Sequence, residues 1–486
     1  MNKLTTLLLL IISAHSFGQP GPGHKIDFKI KGLKDTTAYL GYYYGETTYR
    51  LDTAKVNSQG EFSFSGKESL SHGVYFFFLG KIKIFDFLVS EKQHFLMETS
   101  TEDYLKNMKV TGDEDNRLFF ANMIFSSELH LEADPFLKTI RDSTLKEDQK
   151  KEARESFKKI SEKAIASQNK IIESNPTTLT ARILKIIRQI DIPEAPKKAN
   201  GSIDSTFALR YYRQHFFDNF NLADDALIRL SRPSYYEKLG EYLDKLFVQS
   251  PDSIMKAIDG LVEKAKPNQE TYKYLIYSCI VKYRSPAIMG LDEVYVRLYD
   301  KYYASGSQDF WATAPLKKSL QEYADKLRVS LIGKTGANLI MQDANFQQKS
   351  MYDIKKKYTI LYIFDPDCGH CRTESPKLVD FYNKDKIKFN LEVFAVSQDT
   401  SMLKMRNYIK EMKMQWITVN GPRSYVGQIN KFYYAETTPS LYILDDKKKI
   451  IAKGLPVDQL EHFFTNYEKY VQKKIATKPQ GTNKQL

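Results

Sequence analysis

Two cysteines separated by two residues carry the clearest chemical signal in this sequence. Cys368 and Cys371 follow an apolar run at 359–364 and the turn-like segment Asp365-Pro366-Asp367, and they stand where a helical pattern begins. Cysteines at positions i and i+3 in the first turn of a helix are close enough to form a disulfide. The free N–H groups and the dipole at a helix N-terminus favour a thiolate at Cys368. The spacing therefore predicts a redox-active dithiol, and His370 can add positive charge beside its thiolate.

A metal site is the main alternative for such a pair, and the sequence disfavours it. A zinc site needs two further cysteine or histidine ligands at suitable spacing. The third cysteine, Cys279, lies in an aromatic helical stretch at 271–283, where we expect a buried apolar residue. Other histidines lie singly along the chain: His24, His72, His94, His130, His215 and His462. A purely structural disulfide over so short a loop would add little stability. We therefore predict redox chemistry and no metal.

The elements around the dithiol alternate between strand and helix from residue 333 to residue 475. This order predicts an α/β domain whose sheet contains parallel strands. The predicted elements are a buried strand at 359–364, a helix at 373–384, a strand at 391–397, a helix at 401–412 and a final hairpin from 440–446 and 449–454.

The rest of the chain divides by its periodicity. Residues 24–112 contain short, alternating aromatic and β-branched runs separated by turns, which predicts a β-sandwich-like domain. Residues 113–332 are charged and strongly helical, which predicts an all-α domain. Residues 476–486 form a basic, polar tail. The expected fold is therefore multidomain, with a β domain, a helical domain and an α/β domain in that order.

The first 18 residues have the pattern of a secretory signal peptide. Lys3 precedes a nine-residue core at 4–12, and small residues follow it. Cleavage after Gly18 or after Ser16 fits the pattern, and a short buried strand is the alternative interpretation. We expect an exported protein of the periplasm or cell envelope, where disulfides can form and persist.

Composition excludes several classes of protein. A chain of 486 residues corresponds to about three domains at roughly 150 residues each. Hydrophobic residues make up 42% and charged residues 27%, as in an ordinary globular protein. Beyond the N-terminus no apolar run approaches the ~18 residues of a membrane span. The net charge is +13, but we interpret the runs of charged residues as solvated faces of helices. We therefore expect no nucleic-acid partner. No glycine-rich phosphate loop is present, and we predict no bound cofactor.

The motif around the cysteines resembles a known family. Residues 368–376, Cys-Gly-His-Cys-Arg-Thr-Glu-Ser-Pro, contain the complete C-x-x-C-R-x-E-x-P pattern of thioredoxin-like envelope thiol–disulfide reductases of the TlpA/ResA type. Residues 395–399 resemble the second strand of that family, and 437–441 resemble its cis-proline loop. Residues 24–112 resemble the small β domain that often precedes such reductases, and 113–330 resemble an accompanying helical domain of unknown role.

The resemblance implies a mechanism of thiol–disulfide exchange. Cys368 is then the attacking thiol and Cys371 the resolving thiol, with a Cys368–Cys371 disulfide as the oxidised product. Thr438 and Pro439 are expected to bind an extended segment of a protein disulfide substrate. The oxidised protein then needs a thiol–disulfide electron donor.

Two departures from thioredoxin itself affect the expected roles. Thioredoxin keeps a buried acid six residues before its first cysteine, and Tyr362 stands at that position here. The resemblance implies that Glu374 handles the proton of Cys371 instead, and a solvated helix charge is the alternative. The Gly369-His370 pair resembles disulfide isomerases, so His370 is expected to stabilise the thiolate and raise the reduction potential. Reductase and isomerase activity both remain open.

Two other functions also remain open. A thioredoxin-fold peroxidase is disfavoured because residues 364–368 lack the threonine and the spacing of a peroxidatic loop. The last alternative is an envelope protein that binds a partner and carries a redox-sensitive thioredoxin module.

Overall fold

The computed structural model describes residues 23–476, with side chains through 473. The predicted signal peptide at 1–18 therefore lies outside the described residues. So does the predicted basic tail, except for Ala476, which ends the last helix.

The N-terminal region folds into two four-stranded sheets with the strand orders β4-β1-β7-β8 and β3-β2-β5-β6. The phenylalanine rings of both sheets share one core, in which Phe28 on β1 lies 6.0 Å from Phe77 on β5. This arrangement agrees with the predicted sandwich-like domain. The strands are β1 (His24–Lys31), β2 (Thr37–Tyr44), β3 (Thr47–Lys55), β4 (Glu61–Gly66), β5 (Gly73–Leu79), β6 (Ile82–Val89), β7 (His94–Ser100) and β8 (Lys109–Thr111).

Helices follow from residue 114, where Asp113 accepts a hydrogen bond from the N–H of Asn116 at 2.8 Å and caps the first helix. On the second helix Ile160 is buried, whereas Ile165 is 55% exposed. The helices are α1 (Glu114–Arg141), α2 (Glu147–Ser174), α3 (Leu179–Ile186), α4 (Phe207–His215), α5 (Tyr235–Lys245), α6 (Pro251–Ala265), α7 (Gln269–Lys282), α8 (Asp292–Leu298) and α9 (Ala314–Arg328).

The chain divides into two compact units. The first ends at Phe247 and also includes Lys256–Ser278, and the second comprises Val248–Met255 and the chain from Cys279 onward. The helices are thus distributed over both units. The domain boundaries at 112/113 and 332/333 stay a prediction.

The C-terminal region is the expected α/β fold. Its five-stranded sheet has the order β13-β12-β11-β16-β17, in which β11 is parallel to β12 and antiparallel to β16. The elements are β9 (Ile340–Gln342), β10 (Gln348–Ser350), β11 (Tyr358–Phe364), α10 (Gly369–Asp385), β12 (Leu391–Ser397), α11 (Met402–Met412), β13 (Ile417–Asn420), β14 (Arg423–Ser424), β15 (Gly427–Gln428), β16 (Ser440–Leu444), β17 (Ile450–Lys453) and α12 (Leu460–Ala476).

The central strand β11 is buried along its whole length. On one face, Tyr362 and Phe364 share a core with side chains of α10, α11 and α12. On the other face, Leu361 and Ile363 pack with residues between 339 and 354 and between 429 and 435. Strands covered on both faces read as continuous apolar runs, which is why the sequence predicts β11 and β12 to within one residue. The predicted multidomain fold class is confirmed.

Candidate active site: a dithiol at the start of a helix

The turn between β11 and α10 places the two cysteines. The Asp365 carboxylate accepts a hydrogen bond from the N–H of Asp367 at 2.8 Å, and the Asp365 carbonyl accepts one from the N–H of Cys368 at 3.1 Å. Cys368 is the N-cap residue of α10, and Cys371 lies in the first helical turn. The cysteines thus lie in the first turn of the helix, as the sequence predicts, and the helix begins at Gly369, four residues before the run 373–384.

Cys368 lies in an environment that stabilises its charged form. Its side chain is partly exposed, and its thiol donates a hydrogen bond to the Thr438 carbonyl at 3.2 Å. Burial by itself raises the Cys368 pKa, but hydrogen bonds from the side chains of Thr438 and Cys371 and from the N–H groups of Cys371 and His370 lower it, and the net pKa is below its ordinary value. This is the effect expected for a thiol at a helix N-terminus.

Cys371 lies in the opposite environment. It is fully buried, and loss of hydration raises its pKa from 9.0 to about 12. Cys368 and Cys371 are both free cysteines in the structure, and the Cys368–Cys371 disulfide of the oxidised form stays a prediction. One thiol is thus accessible and acidic while the other is shielded and basic. That difference suits an attacking and a resolving cysteine.

The segment that ends at Pro439 lies opposite the dithiol. Strand β16 pairs with β11, and Ser440 is the partner of Ile363 near the end from which the cysteine turn leaves. The Thr438–Pro439 peptide bond is cis. This register explains how Thr438, 70 residues from Cys368 in the sequence, brings its carbonyl to the thiol.

Glu374 lies one helical turn beyond Cys371, as the sequence predicts. It is partly buried, with 22% of its side chain exposed. One carboxylate oxygen accepts a hydrogen bond from Lys377 Nζ at 2.6 Å, and the other accepts one from the N–H of Val457 at 3.2 Å. Glu374 is thus held by Lys377 and by the segment before α12, and its predicted proton-handling role stays a prediction.

His370 and Arg372 flank Cys371 in the sequence, and both side chains are exposed. His370 is exposed, and its backbone N–H is one of the groups that lower the Cys368 pKa. Arg372 pairs with Glu411 at 2.7 Å, and its guanidinium lies 5.6 Å from the ring centre of Tyr408. The predicted effect of the His370 side chain on the redox potential stays a prediction.

The sequence analysis singled out Tyr362 only as the replacement for a buried acid, and it missed the buried hydroxyl groups of Ser375 and Tyr408 beside it. Tyr362 Oη and Ser375 Oγ are 2.9 Å apart, and Ser375 Oγ and Tyr408 Oη are also 2.9 Å apart. Ser375 follows Cys371 by four residues, which on a helix indicates the same face and was an available signal. Tyr408 gave no signal, because it lies on a different helix.

Three carboxylates cluster at the cysteine turn, and a lysine binds two of them. Ligand atoms of Asp365, Asp367 and Asp399 lie within 4.8 Å of one another. Lys404 Nζ lies 2.6 Å from Asp367 and 3.0 Å from Asp399, so a protein cation already pairs with two of these three carboxylates. Cys279 is 1% exposed, and burial raises its pKa to about 12, as expected for a buried apolar residue.

Between residues 23 and 476, no helix has the length and apolar character needed to cross a membrane.

Comparison with family models assigns three regions of the chain. Residues 332–453 match the AhpC/TSA family. Residues 24–119 match one domain of unknown function (DUF4369), and residues 146–326 match another (DUF5106).

Individual relatives resemble parts of the chain. Tryparedoxin of Trypanosoma brucei brucei is 29% identical over 97 residues, which are 20% of this chain and 66% of that protein. A solved domain of a "possible thiol-disulfide isomerase" from Cytophaga hutchinsonii is 34% identical, covers 29% of this chain and 97% of its own, and has a TM-score of 0.28. A thioredoxin-like protein from Bacteroides caccae is 18% identical, covers 57% of this chain and 100% of its own, and has a TM-score of 0.45.

Fold, site and family match together define the class. The C-terminal region is a thioredoxin-like domain, and its residues 332–453 belong to the AhpC/TSA family. The protein is therefore a multidomain chain in which two regions that match domains of unknown function precede a thioredoxin-like region that matches the AhpC/TSA family.

Proposed function

We propose that this protein is exported to the cell envelope and exchanges disulfides with protein substrates through Cys368 and Cys371. The observation that carries the proposal is the contrast between the two thiols. Cys368 is partly exposed, with a lowered pKa, whereas Cys371 is fully buried, with a pKa raised to about 12. Only a thiolate attacks a disulfide efficiently, so Cys368 is the first nucleophile.

The exchange proceeds in two steps. The Cys368 thiolate attacks one sulfur of the substrate disulfide, forms a mixed disulfide and releases the other substrate sulfur as a thiolate, which takes up a proton. Cys371 then loses its proton and attacks Cys368, and the second substrate thiol leaves. The substrate disulfide is reduced by two electrons while Cys368 and Cys371 are oxidised to a disulfide. A thiol–disulfide electron donor must restore the dithiol.

We assign substrate binding to Thr438 and Pro439. An extended segment next to a substrate disulfide can pair with the backbone of this loop as an added strand. The contact between the Thr438 carbonyl and the Cys368 thiol supports this assignment, because a segment bound there lies beside the attacking sulfur.

Two further residues adjust the exchange in this proposal. Glu374 accepts the proton of Cys371 during the second step, which its position one turn along α10 supports. His370 stabilises the Cys368 thiolate and thereby raises the reduction potential, which favours disulfide isomerisation alongside reduction.

Reduction of insulin in the presence of dithiothreitol tests the proposal. We expect the wild type to accelerate precipitation of the insulin B chain and Cys368→Ser to abolish the acceleration. In a separate measurement, we expect Cys371→Ser to accumulate mixed disulfides with envelope proteins. Cys279→Ser is the matched control, because it removes a thiol outside the site. Consumption of hydrogen peroxide without insulin reduction would indicate the peroxidase alternative. Tight partner binding without turnover would indicate the binding alternative.

A further inference from the structure

We propose that the buried hydroxyl groups of Tyr362, Ser375 and Tyr408 form a hydrogen-bonded chain that stabilises the charge on Cys371 when this residue ionises to resolve the mixed disulfide. The inference deepens the proposed function and rests on it. The three residues are positioning residues here, since they act through Cys371.

The hydroxyl chain is continuous and shielded from solvent. It joins β11, α10 and α11, with both oxygen–oxygen distances at 2.9 Å. Tyr362 and Ser375 are fully buried, and Tyr408 is 1% exposed. Buried hydroxyl groups in folded proteins are normally hydrogen-bonded. In a chain of such groups each hydrogen bond polarises the next one and strengthens it.

Counting hydrogens shows what the hydroxyl chain can offer. Each hydroxyl carries one hydrogen, and each oxygen can also accept. Two hydrogen bonds among three hydroxyls use two of the three hydrogens. One O–H is therefore always directed outside the hydroxyl chain, and rotating the hydroxyls changes which residue supplies it. A neutral polar group of this kind can turn toward a new negative charge without carrying charge itself.

Cys371 is the group that this O–H can serve. Ser375 lies one helical turn from Cys371, and both are fully buried. The pKa of Tyr408 is raised to about 12, mainly by burial, while a hydrogen bond with Ser375 lowers it and the nearby Cys371 raises it. The same causes, in the same order, raise the pKa of Tyr362. Tyr362, Cys371 and Tyr408 also belong to one buried core cluster, so both ends of the hydroxyl chain lie in the same core as the Cys371 thiol.

Other charged and polar groups near Cys371 also influence how its reaction depends on pH. Cys368 and Thr438 act directly on Cys371, as does the backbone of Asp365. Glu374 raises the pKa of Tyr362, whereas Arg372, which pairs with Glu411, lowers that of Tyr408. The full set to keep unchanged in a test is Asp365, Cys368, His370, Arg372, Glu374, Glu411 and Thr438.

The proton balance needs no further reactant. When Cys371 attacks Cys368, its proton goes to Glu374, to water or to the departing thiolate, and one S–S bond breaks as another forms. The hydroxyl chain keeps all its protons and only reorients its hydrogen bonds. Its contribution is the difference in hydrogen bonding between the thiol and the thiolate of Cys371.

Ellman's reagent separates the two steps. Cys368 attacks the reagent and releases one thionitrobenzoate anion, and Cys371 then resolves the mixed disulfide and releases a second. The two releases are followed by stopped-flow absorbance across pH 6–10 for the variants Tyr362→Phe, Ser375→Ala and Tyr408→Phe. The matched control is Tyr382→Phe, another buried tyrosine of the same core, whose hydroxyl binds Glu392 at 2.8 Å.

We expect the second release to slow by roughly 10- to 100-fold in the hydroxyl-chain variants, because hydrogen bonds to charged groups are worth that factor. The first release and the Tyr382→Phe control should match the wild type, and the pH at which the second release accelerates should rise. Thermal unfolding of each variant identifies any that are not folded, and each of the two Tyr→Phe changes tests the inference separately.

Two results would overturn the inference. One is a second release in folded Tyr362→Phe and Tyr408→Phe that overlays the wild type at every pH. The other is equal slowing in Tyr382→Phe, which would assign the effect to general loosening of the core. A wild type that gives no second release would instead count against the proposed function, so the two failures are distinguishable.

Discussion

The difference in reactivity between the two cysteines can be worked out from the structure. The Cys371 pKa is about 12 and the Cys368 pKa lies below 9.0, a separation of at least three units. Below pH 9 the fraction of thiolate is then at least ~10³-fold larger at Cys368. A more basic thiolate is intrinsically more nucleophilic. For a pKa difference of three units this makes the Cys371 thiolate about 15- to 30-fold more reactive than the Cys368 thiolate and offsets part of the difference in thiolate fraction. Ionisation alone thus predicts that Cys368 reacts at least ~30-fold faster.

Accessibility adds to this factor, because Cys371 is fully buried while Cys368 is partly exposed. The assay is a time course of iodoacetamide labelling of the reduced protein at pH 7, with each cysteine quantified by peptide mass spectrometry. Cys279, which is buried with a pKa of about 12, serves as an internal reference and should label as slowly as Cys371. In guanidinium chloride all three should label at similar rates.

Equal labelling of Cys368 and Cys371 in the folded protein, or faster labelling of Cys371, would refute this reasoning. Either result would remove the assignment of Cys368 as the attacking thiol. It would also show that the hydrogen bonds at the start of α10 do not outweigh the effect of burial on Cys368.

The remaining predictions concern single changes. Glu374→Gln should slow the second thionitrobenzoate release by about 10²–10⁴-fold and leave the first intact, and unchanged traces would remove Glu374 from the mechanism. His370→Pro should lower the reduction potential in a glutathione titration by part of the ~90 mV that separates isomerases from thioredoxin, and an unchanged or raised value would contradict its role. Cys279→Ala should leave redox activity unchanged. Since burial raises the Cys279 pKa from 9.0 to about 12, the wild type loses stability as pH rises from 9 to 12, and alkaline urea unfolding should show a smaller loss in the variant. Mass spectrometry of the exported protein should show cleavage after Gly18 or Ser16, and an intact N-terminus would contradict export through this segment.

The core strands and the dithiol could be predicted because their signals are local. Strands β11 and β12 are covered on both faces, so their sequences are continuous apolar runs. Strand β13 was missed because it has only four residues, 417–420. Helix α12, at 460–476, was also missed and extends to the first residue of the predicted tail.

The apolar residues of the long helix α2 do not all lie on its buried face. Ile160 is buried at 5% exposure, but Ile165 is five residues further along and 55% exposed. Positions i and i+5 point in directions well apart on a helix, whereas i+4 and i+7 stay near one face. An apolar residue on a charged helix therefore need not belong to the buried stripe.

The sequence by itself determined that Cys368 and Cys371 form a dithiol at a helix start, because strand, turn, cysteine spacing and helix are contiguous along the chain. Only the tertiary structure decided how different the two thiols are. The Thr438 carbonyl reaches Cys368 across 70 residues because β16 pairs with β11, and the Tyr408 hydroxyl reaches Ser375 across 33 residues because α11 packs in the same core as α10. Burial and hydrogen bonds between distant segments set a pKa, and they exist only once the chain has folded.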